Sequence, residues 1–277
     1  MPAEPEPPAR LSFEAMGTSC HLFAPAPGER LQAAADWVVR QGERFTRFQA
    51  GSELSRLNAG AGSGWIEVSE DLESLLRAAL DASLLSGGLV NAAVLPSMLA
   101  IGYTRTLSAG PTPAVLTAAR PLAPLPELLQ VEPGRARLAA GAGLDLGGIA
   151  KGWLADRLAA RLGESCLVNL GGDLAARGGG VAGEGWPVGL GDVTVLLRDQ
   201  GAATSSTERR RWKSGEAELH HLIDPRTGLP ARTDLTTVSV VARSATVAEV
   251  AAKTALLLGS EAAPGYLAGH AAGWYVS

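Results

Sequence analysis

Residues 145–179 read DLGGIAKGWLADRLAARLGESCLVNLGGDLAARGG, and this stretch decides the fold class. A run with helical spacing, from about residue 149 to 162, is followed directly by an apolar, strand-like run over 166–179. The same mixing of helices and strands continues along the chain without a strict strand–helix–strand alternation. The sequence therefore predicts an α+β protein with mixed or largely antiparallel sheets and packed helices.

Other elements can be predicted outward from this stretch. Strands are expected in residues 11–24, with a break at Met16-Gly17-Thr18, and in 186–192, 193–199, 219–224 and 235–243. Helices are expected over residues 29–47, 69–86 and 245–259, and near 112–120 within a surface excursion of residues 104–140. Ser69 is expected to cap the second of them. Residues 1–10 are predicted to be a disordered lead-in, and residues 11–277 a single domain.

The composition excludes several classes of protein. Hydrophobic residues make up 46% of the 277 residues, which is enough for a large core. The net charge of −4 gives no global basic field for nucleic acid or an anionic membrane, so we expect a small molecule or a protein as the partner. The most apolar stretch, residues 87–103, is interrupted by polar residues and a proline, so no membrane span is predicted. The N-terminus has no signal-like segment, and the cysteines, Cys20 and Cys166, have no metal-binding spacing; both features predict a cytoplasmic protein.

Several short motifs point to a function only in combination. The P-loop, nucleophile-elbow and zinc-protease signatures do not occur in the sequence. DLGGIAKG (145–152), NLGGDL (169–174) and HLIDPRTG (221–228) do occur, in that order. Together with MGT (16–18) and SELSRLN (52–58), they give the chain a pattern that resembles the FAD:protein FMN transferase family over roughly residues 11–260.

The resemblance implies a flavin-transferase-like fold and a definite reaction. Members of this family bind FAD and, with a divalent metal ion, transfer FMN to a threonine or serine hydroxyl of a target flavoprotein, releasing AMP. FAD as substrate, Mg²⁺ and an acceptor flavoprotein are therefore expected. Such a reaction needs neutralised diphosphate charge, an in-line hydroxyl and a proton acceptor. The same site would also serve a FAD diphosphatase, which gives FMN and AMP, or a non-enzymatic FAD-binding protein.

The residues that match FAD-contacting positions of the family are Met16, Phe48, Val90, Asn91, Asp145, Lys151 and Ile223. Without the resemblance, Lys151 would be interpreted as a solvated residue, Asp145 as a turn or helix-leading aspartate, and the apolar residues as core. Residues 90–93, VNAA, depart from the family, which usually has an aspartate and a threonine there. This departure removes a charge and a hydroxyl from the expected flavin contacts.

Two of the four histidines are neighbours in HHLIDPRTG, residues 220–228. On the residues alone this is a strand end and a tight turn, because Asp before Pro starts turns and Gly supplies a positive φ. The resemblance matches His221 to a family histidine placed near the FAD diphosphate, which implies proton handling or diphosphate contact. His220 should point to the opposite face of the strand and be structural.

The helix over residues 245–259 departs from the family at its metal ligands. The resemblance implies that the Gly148 carbonyl, Glu249 and Lys253 stand where the family has a carbonyl, an aspartate and a threonine that bind Mg²⁺. The plain interpretation is a Glu-to-Lys pair four residues apart on a helix. A charged lysine has no lone pair for a metal ion. We therefore expect either a weakened metal site with Lys253 swung aside or supplying part of the positive charge, or replacement of the metal by the ammonium.

Overall fold

The structure is a computed structural model that describes residues 7–277. Its helices are α1 (Gly28–Phe45), α2 (Glu53–Ala59), α3 (Glu70–Leu85), α4 (Leu95–Ala100), α5 (Leu125–Leu128), α6 (Ala150–Leu162) and α7 (Ala245–Leu267). Its strands are β1 (Ala9–Ala15), β2 (Thr18–Ala24), β3 (Ile66–Glu67), β4 (Leu129–Glu132), β5 (Arg135–Leu138), β6 (Cys166–Leu170), β7 (Asp173–Arg177), β8 (Trp186–Leu190), β9 (Val193–Leu197), β10 (Gln200–Ser206), β11 (Arg211–Ser214), β12 (Ala217–His220), β13 (Ile223–Asp224), β14 (Leu229–Pro230), β15 (Thr237–Ala242) and β16 (Gly273–Val276).

A seven-stranded sheet organises the molecule, in the order β1-β2-β6-β7-β10-β15-β16. Each neighbouring pair in it is antiparallel. The strands β3, β5 and β4 form a small separate sheet, and β8–β9, β11–β12 and β13–β14 are two-stranded hairpins. The predicted α+β class with largely antiparallel sheets is therefore confirmed.

Two tight turns lie against each other at one end of the large sheet. Met16 and Gly17 join β1 to β2 with φ values of 53° and 70°, and Gly171 and Gly172 join β6 to β7 with φ values of 69° and 102°. Two-residue hairpin turns with both φ values positive match the right-handed twist of the flanking strands. A Cβ atom on Gly171 would collide with the side chain of Thr18, so the two turns pack too closely for a larger residue there. Met16 is unusual because bulky residues rarely adopt a positive φ.

The faces of the large sheet bury different partners. Along β6, Cys166, Val168 and Leu170 join the core shared with α1 and α6, whereas Leu167 joins the core formed with β8 and β9. This alternation is the period of two that a strand imposes. Helix α7 packs across β10 and β15 and forms a second cluster of buried alanines, valines and leucines. Helices α6 and α7 are thereby held side by side on the sheet.

Helices α6 and α7 cap each other. The carboxylate of Asp156, in α6, accepts hydrogen bonds from the backbone N–H groups of Ala245 (2.8 Å) and Thr246 (2.9 Å) at the start of α7. The carboxylate of Glu249, in α7, accepts a hydrogen bond of 2.9 Å from the N–H of Gly152 in the first turn of α6. Each carboxylate satisfies N–H groups that have no partner within their own helix, and it lies at the positive end of that helix.

The long predicted helices are confirmed, with shifts of one or two residues at the ends of α1, α3 and α6. The helix predicted over residues 245–259 is the first part of α7, which continues to Leu267 beyond a kink at Gly259. Ser69 caps α3 by accepting from the N–H of Leu72 at 3.2 Å. The prediction of a helix near residues 112–120 is wrong, because the structure has only a short 3₁₀ turn there, at Leu116–Ala118. Two prolines interrupt residues 111–113. The N–H of Val115 bonds instead to the carbonyl of Ala100 at 2.7 Å, which fastens this segment to α4.

Two predicted strands are each divided. The run over residues 166–179 is the β6–β7 hairpin, because its central glycines form a turn. The run over residues 219–224 is divided between β12, which ends at His220, and β13, which begins at Ile223. Between them, the N–H of Leu222 donates a hydrogen bond of 3.3 Å to His220 Nδ1. At the N-terminus, β1 begins at Ala9, two residues before the predicted boundary, and residues 1–6 of the predicted lead-in lie outside the described residues. Within residues 7–277 no helix has the length and hydropathy to cross a membrane.

Candidate active site

A cleft with two adjoining lobes opens where the two turns meet. The polar lobe, of about 290 Å³, is lined by residues that include Gly17, Asp173, Ser205, Glu249 and Lys253. The aromatic lobe, of about 600 Å³, is lined by residues that include Met16, Phe45, Phe48, Leu107 and Tyr103. Asp145, Lys151, Arg210 and His221 line both lobes and form their common wall. Cavities of this size, with a few convergent polar groups, are typical of small-molecule sites.

Two lysines and two carboxylates form a cluster in the polar lobe. Lys151, in the first turn of α6, forms an ion pair with Asp173, the first residue of β7. The Nζ atom of Lys151 also lies 3.5 Å from Oε1 of Glu249. Lys253, one helical turn after Glu249, donates a hydrogen bond of 2.8 Å to the carbonyl oxygen of Gly148. The cluster thus links the start of α6, the start of β7 and the middle of α7.

The electrostatics of this cluster suit an anionic ligand. Burial and the neighbouring Glu249 carboxylate raise the pKa of Asp173 to about 7, although Lys151 opposes them. Burial lowers the pKa of Lys151, but Asp173 and Glu249 more than offset it, so the pKa of this lysine is raised. Burial lowers the pKa of Lys253, although Glu249 opposes it. Because the raised pKa of Asp173 reduces the negative charge of the cluster, the two lysines together with Arg210 leave the lobe positively charged. The lobe then attracts a negatively charged group.

His221 stands on the common wall of the two lobes with one ring nitrogen free. Its Nδ1 atom is buried and has no hydrogen-bond partner among residues 7–277. Burial, followed by the positive charges of Arg210 and Lys253, lowers the pKa of His221 well below its usual value. The imidazole is therefore neutral at neutral pH, and whichever of its ring nitrogens carries no proton can accept one.

The turn that follows His221 is fixed by its own side chains, as predicted. The carboxylate of Asp224 accepts from the backbone N–H of Arg226 at 2.9 Å and pairs with its guanidinium at 2.8 Å. The N–H of Gly228, at φ 71°, donates to the carbonyl of Asp224 at 2.8 Å. His220 lies outside the lining of both lobes, and its Nε2 atom is 3.1 Å from the Ala231 carbonyl oxygen, which agrees with a structural role.

An arginine that the sequence analysis missed organises the aromatic lobe. The side chain of Arg47 is 4% exposed, and its Nε atom lies 2.5 Å from Oδ2 of Asp145. Its guanidinium packs over the rings of Phe48, at 4.2 Å, and Tyr103, at 4.7 Å. The second oxygen of Asp145 accepts from the N–H of Gly147 at 2.8 Å. Asp145 thus serves as a turn residue and as the partner of Arg47 at once.

The structure brings the predicted site residues together around the cleft. Met16 and Phe48 line the aromatic lobe; Val90, Asn91, Gly148, Ile223, Glu249 and Lys253 line the polar lobe; Asp145, Lys151 and His221 line both. The amide of Asn91 is already engaged, because it donates to the Ala123 carbonyl at 3.0 Å and accepts from the Ala93 N–H at 2.9 Å. The roles assigned to these residues remain predictions.

Sequence reasoning missed Asp173 and Arg210 as well as Arg47. Asp173 follows the glycine pair of NLGGDL, and its position directly after a hairpin turn was the available signal. Arg210 lies in ERRRW, residues 208–212, where a run of arginines usually indicates a solvated surface. In the structure Arg210 has a positive φ of 52° and lines both lobes. Residues other than glycine with such a φ often lie at functional sites.

The residues at the predicted magnesium site do not fit a resident metal ion. The Gly148 carbonyl accepts from Lys253, and the two oxygens of Glu249 face the Gly152 N–H and the Lys151 ammonium. Magnesium requires about six oxygen ligands in near-octahedral geometry. Across residues 7–277, no three His, Cys, Asp or Glu side chains are grouped so that they could hold a metal ion.

The fold and the cleft together define the class of ligand that the protein can bind. Two mutually capped helices pack on an antiparallel sheet, and the cleft lies beside them. Its positively charged polar lobe and its aromatic lobe suit a ligand that has both phosphate groups and flat rings. A family model described as the ApbE family matches residues 16–274. The chain belongs to the ApbE family.

Curated relatives agree with this assignment. The chain is 34% identical over 285 residues to the FAD:protein FMN transferase of Treponema pallidum, with 89% of this chain and 77% of the relative covered. It is 24% identical to the FAD:protein FMN transferase of Haemophilus influenzae, with 91% and 81% covered. The resemblance drawn from the motifs is thereby confirmed.

Solved structures share the fold. The ApbE protein of Thermotoga maritima superposes with a TM-score of 0.85 at 23% identity, covering 97% of this chain and 94% of that one. The apo form of the flavinyl transferase ApbE of Pseudomonas stutzeri superposes with a TM-score of 0.81 at 21% identity, covering 96% and 90%. The flavin-transferase-like fold expected from the sequence is confirmed.

Proposed function

We propose that this protein is a FAD:protein FMN transferase, which moves FMN from FAD onto a threonine or serine hydroxyl of an acceptor flavoprotein and releases AMP. Family membership and the named relatives support the reaction. The observation that carries it to this chain is the free Nδ1 atom of the neutral His221, on the wall between the cationic and aromatic lobes. A diphosphate between two flat ring systems matches that arrangement.

In the proposed reaction the acceptor hydroxyl oxygen attacks the phosphorus atom of the FMN half of FAD. A new phosphoester bond forms, and the bond from that phosphorus to the bridging oxygen breaks. AMP leaves with the bridging oxygen and its electron pair. Lys151 and Arg210 line the lobe where negative charge develops, and fixed cations there stabilise the transition state. The unprotonated ring nitrogen of His221 takes the hydroxyl proton.

Binding of FAD would itself prepare His221 for this role. Burial, and after it the cations around the imidazole, hold the pKa of His221 down in the free protein. A bound diphosphate adds negative charge that offsets those cations, so the affinity of the His221 imidazole for a proton rises when substrate is in place. The proposal also includes Met16, Phe48, Val90, Asn91, Asp145 and Ile223 as contacts of the dinucleotide.

Three finer points belong to the proposal as well. The acceptor is a flavoprotein with a flavinylated threonine or serine, and the compartment is the cytoplasm, as the sequence predicts. Magnesium, if the reaction uses it, would arrive with the FAD phosphates, since the chain's own oxygen atoms at the predicted site already have partners.

The test is to incubate the purified protein with FAD and candidate acceptors, with and without Mg²⁺. Covalent flavin on the acceptor, seen by in-gel fluorescence and by mass, together with an equal amount of AMP, is the expected result. The His221→Ala variant is the matched control. FMN and AMP without acceptor labelling would indicate a diphosphatase, and unchanged FAD bound to the protein would indicate a binding protein; either result contradicts the proposal.

A further inference from the structure

Lys253 occupies the place where the resemblance to the family implies a metal ligand. Its Nζ atom donates to the Gly148 carbonyl at 2.8 Å, the oxygen that was expected to face the ion. A Cβ atom on Gly148 would collide with the Lys253 ammonium, so the lysine fills the space against this carbonyl. The side chain of Lys253 also lines the polar lobe.

The neighbouring carboxylate is committed to other partners. One oxygen of Glu249 accepts from the N–H of Gly152 at 2.9 Å, and the other lies 3.5 Å from the Lys151 ammonium. A metal ion bound to Oε1 of Glu249 would have to displace the Lys151 ammonium, and an ion bound to both oxygens would also disrupt the cap of α6. It would also have to approach two ammonium groups, which have no lone pair to offer it.

The ammonium meets the electrostatic need that a divalent ion would otherwise meet. A lysine ammonium has three N–H donors, and the Gly148 carbonyl uses one of them. The remaining donors are available to phosphate oxygens in the polar lobe, where Lys151 and Arg210 add two further positive charges. Charged hydrogen bonds from a buried ammonium to phosphate are among the stronger polar contacts in proteins.

We propose that the Lys253 ammonium replaces the divalent cation at this site, so that the chain binds the FAD diphosphate without a metal ion of its own. The inference rests on the proposed function for the identity of the ligand, but FAD binding tests it independently of transfer. Lys253 would then be a residue that contacts the substrate.

The experiment measures FAD affinity by quenching of flavin fluorescence, with protein dialysed against a chelator and then supplied with EDTA or Mg²⁺. The parent protein should bind FAD equally well under both conditions, within about twofold. Lys253→Met should weaken binding by roughly 10- to 100-fold, the effect of losing one charged hydrogen-bond partner, and Mg²⁺ should not restore it. Lys213→Met is the matched control, because Lys213 is an exposed lysine on β11, and it should bind as the parent does.

A direct measure of metal binding completes the test. Titration of Mn²⁺ into the parent protein without FAD, followed by electron paramagnetic resonance, should show no tight site. The double variant Glu249→Asp, Lys253→Thr should gain one, and its FAD affinity should rise at least about tenfold with Mg²⁺. Circular dichroism checks that the variants fold. If the double variant does not fold, the parent titration and Lys253→Met decide the question.

The outcomes separate this inference from the proposed function. A stoichiometric Mn²⁺ site in the parent, or a loss of FAD affinity of more than about tenfold in EDTA, overturns the role of Lys253. FAD binding that needs no metal but leads to no acceptor labelling leaves Lys253 supported and contradicts the transferase. A parent that does not bind FAD under either condition contradicts both.

Discussion

Glu249 accepts a hydrogen bond of 2.9 Å from the N–H of Gly152, so a side chain of α7 closes the start of α6. The same carboxylate lies 3.5 Å from Lys151, which follows the glycine pair of DLGGIAKG. One residue therefore supports both the backbone of the helix that carries Lys151 and the charge balance of the cleft.

Glu249→Ala should destabilise the protein by about 1–3 kcal/mol, because it leaves the N–H of Gly152 without its acceptor and removes one of the two carboxylates beside Lys151. Glu249→Gln keeps an acceptor for Gly152 and should recover part of the loss. The measurement is urea denaturation at pH 7. Glu261→Ala, an exposed position further along the same element, is the control and should change little. Equal stability of the Glu249→Ala variant and the parent would show that the cap contributes nothing.

His221→Ala should lower FMN transfer by roughly 10²-fold or more, the usual scale for loss of an acid–base group. His220→Ala should leave the transfer rate nearly unchanged, because His220 lies outside the cleft lining and bonds to the Ala231 carbonyl. Single-turnover labelling of an acceptor at saturating FAD gives both rates. Comparable losses in the two variants would contradict the assignment of His221.

The lowered pKa of His221 predicts a pH dependence of stability with a definite sign. Below pH 6.5 the unfolded chain binds a proton on this residue while the folded protein does not, so the free energy of unfolding falls as the pH falls. A glutamine does not titrate, so the free energy of unfolding of His221→Gln, relative to that of the parent, should rise by about 1 kcal/mol for each pH unit below pH 6.5.

Asp173 acts in the opposite direction, because its pKa is raised in the folded state, and it is present in both proteins. The difference between the parent and His221→Gln therefore isolates the histidine. Thermal or urea unfolding from pH 7 to pH 5 provides the comparison. Parallel curves would mean that His221 takes up a proton as readily in the folded protein as in the unfolded chain.

Lys151→Met should weaken FAD binding by about 1–3 kcal/mol through loss of a charged contact to the diphosphate. The variant also leaves Asp173 without its ion-pair partner. The double variant Lys151→Met, Asp173→Asn removes that buried carboxylate, so its stability should recover while its FAD affinity stays low. Fluorescence titration and urea denaturation separate the two effects. Full FAD affinity in the single variant would exclude a substrate contact.

Cys20 and Cys166 should react slowly with thiol reagents in the folded protein. Burial raises the pKa of each thiol to about 11, so little thiolate forms at pH 8, and both side chains are enclosed in the core. Both thiols should react fully after denaturation in guanidinium chloride. Absorbance of the released thiol-reagent product follows the reaction, and a rapid reaction with native protein would show that the core around one of them opens readily.

The sequence predicted the elements whose pattern is local. The helices α1, α3, α6 and α7 have clear spacing, and the Ser69 cap was recognised from its own residues. The short helix α2 and the edge strand β16 were missed, since neither is long enough to show a period. The false helix near residues 112–120 was an alanine-rich stretch whose backbone N–H groups bond instead to Ala100 at the end of α4, to Gly102 and to Ser214. Long-range pairing overrides local propensity there.

The residues of the candidate site also fall into a group that the sequence could predict and a group that it could not. Lys151, Asp145 and His221 lie within recognisable motifs, so the sequence could name them. Arg47 and Arg210 acquire their positions from contacts with Asp145, Tyr103 and the cleft, which no spacing along the chain reveals. The hydrogen bonds that Gly148 and Glu249 make to Lys253 and Gly152 could not be predicted either, because they depend on the distance between α6 and α7.

The cleft can form only after β2 has paired with β6 during folding. Cys20 is opposite Leu170 in this pair, and the turn at Met16-Gly17 reaches the turn at Gly171-Gly172 only when the pair has formed. Closing a loop of that length is slow compared with forming either hairpin. A refolding chain should therefore acquire most of its helical signal before it can bind flavin. Quenching of added FAD would report the last stage of folding rather than the first.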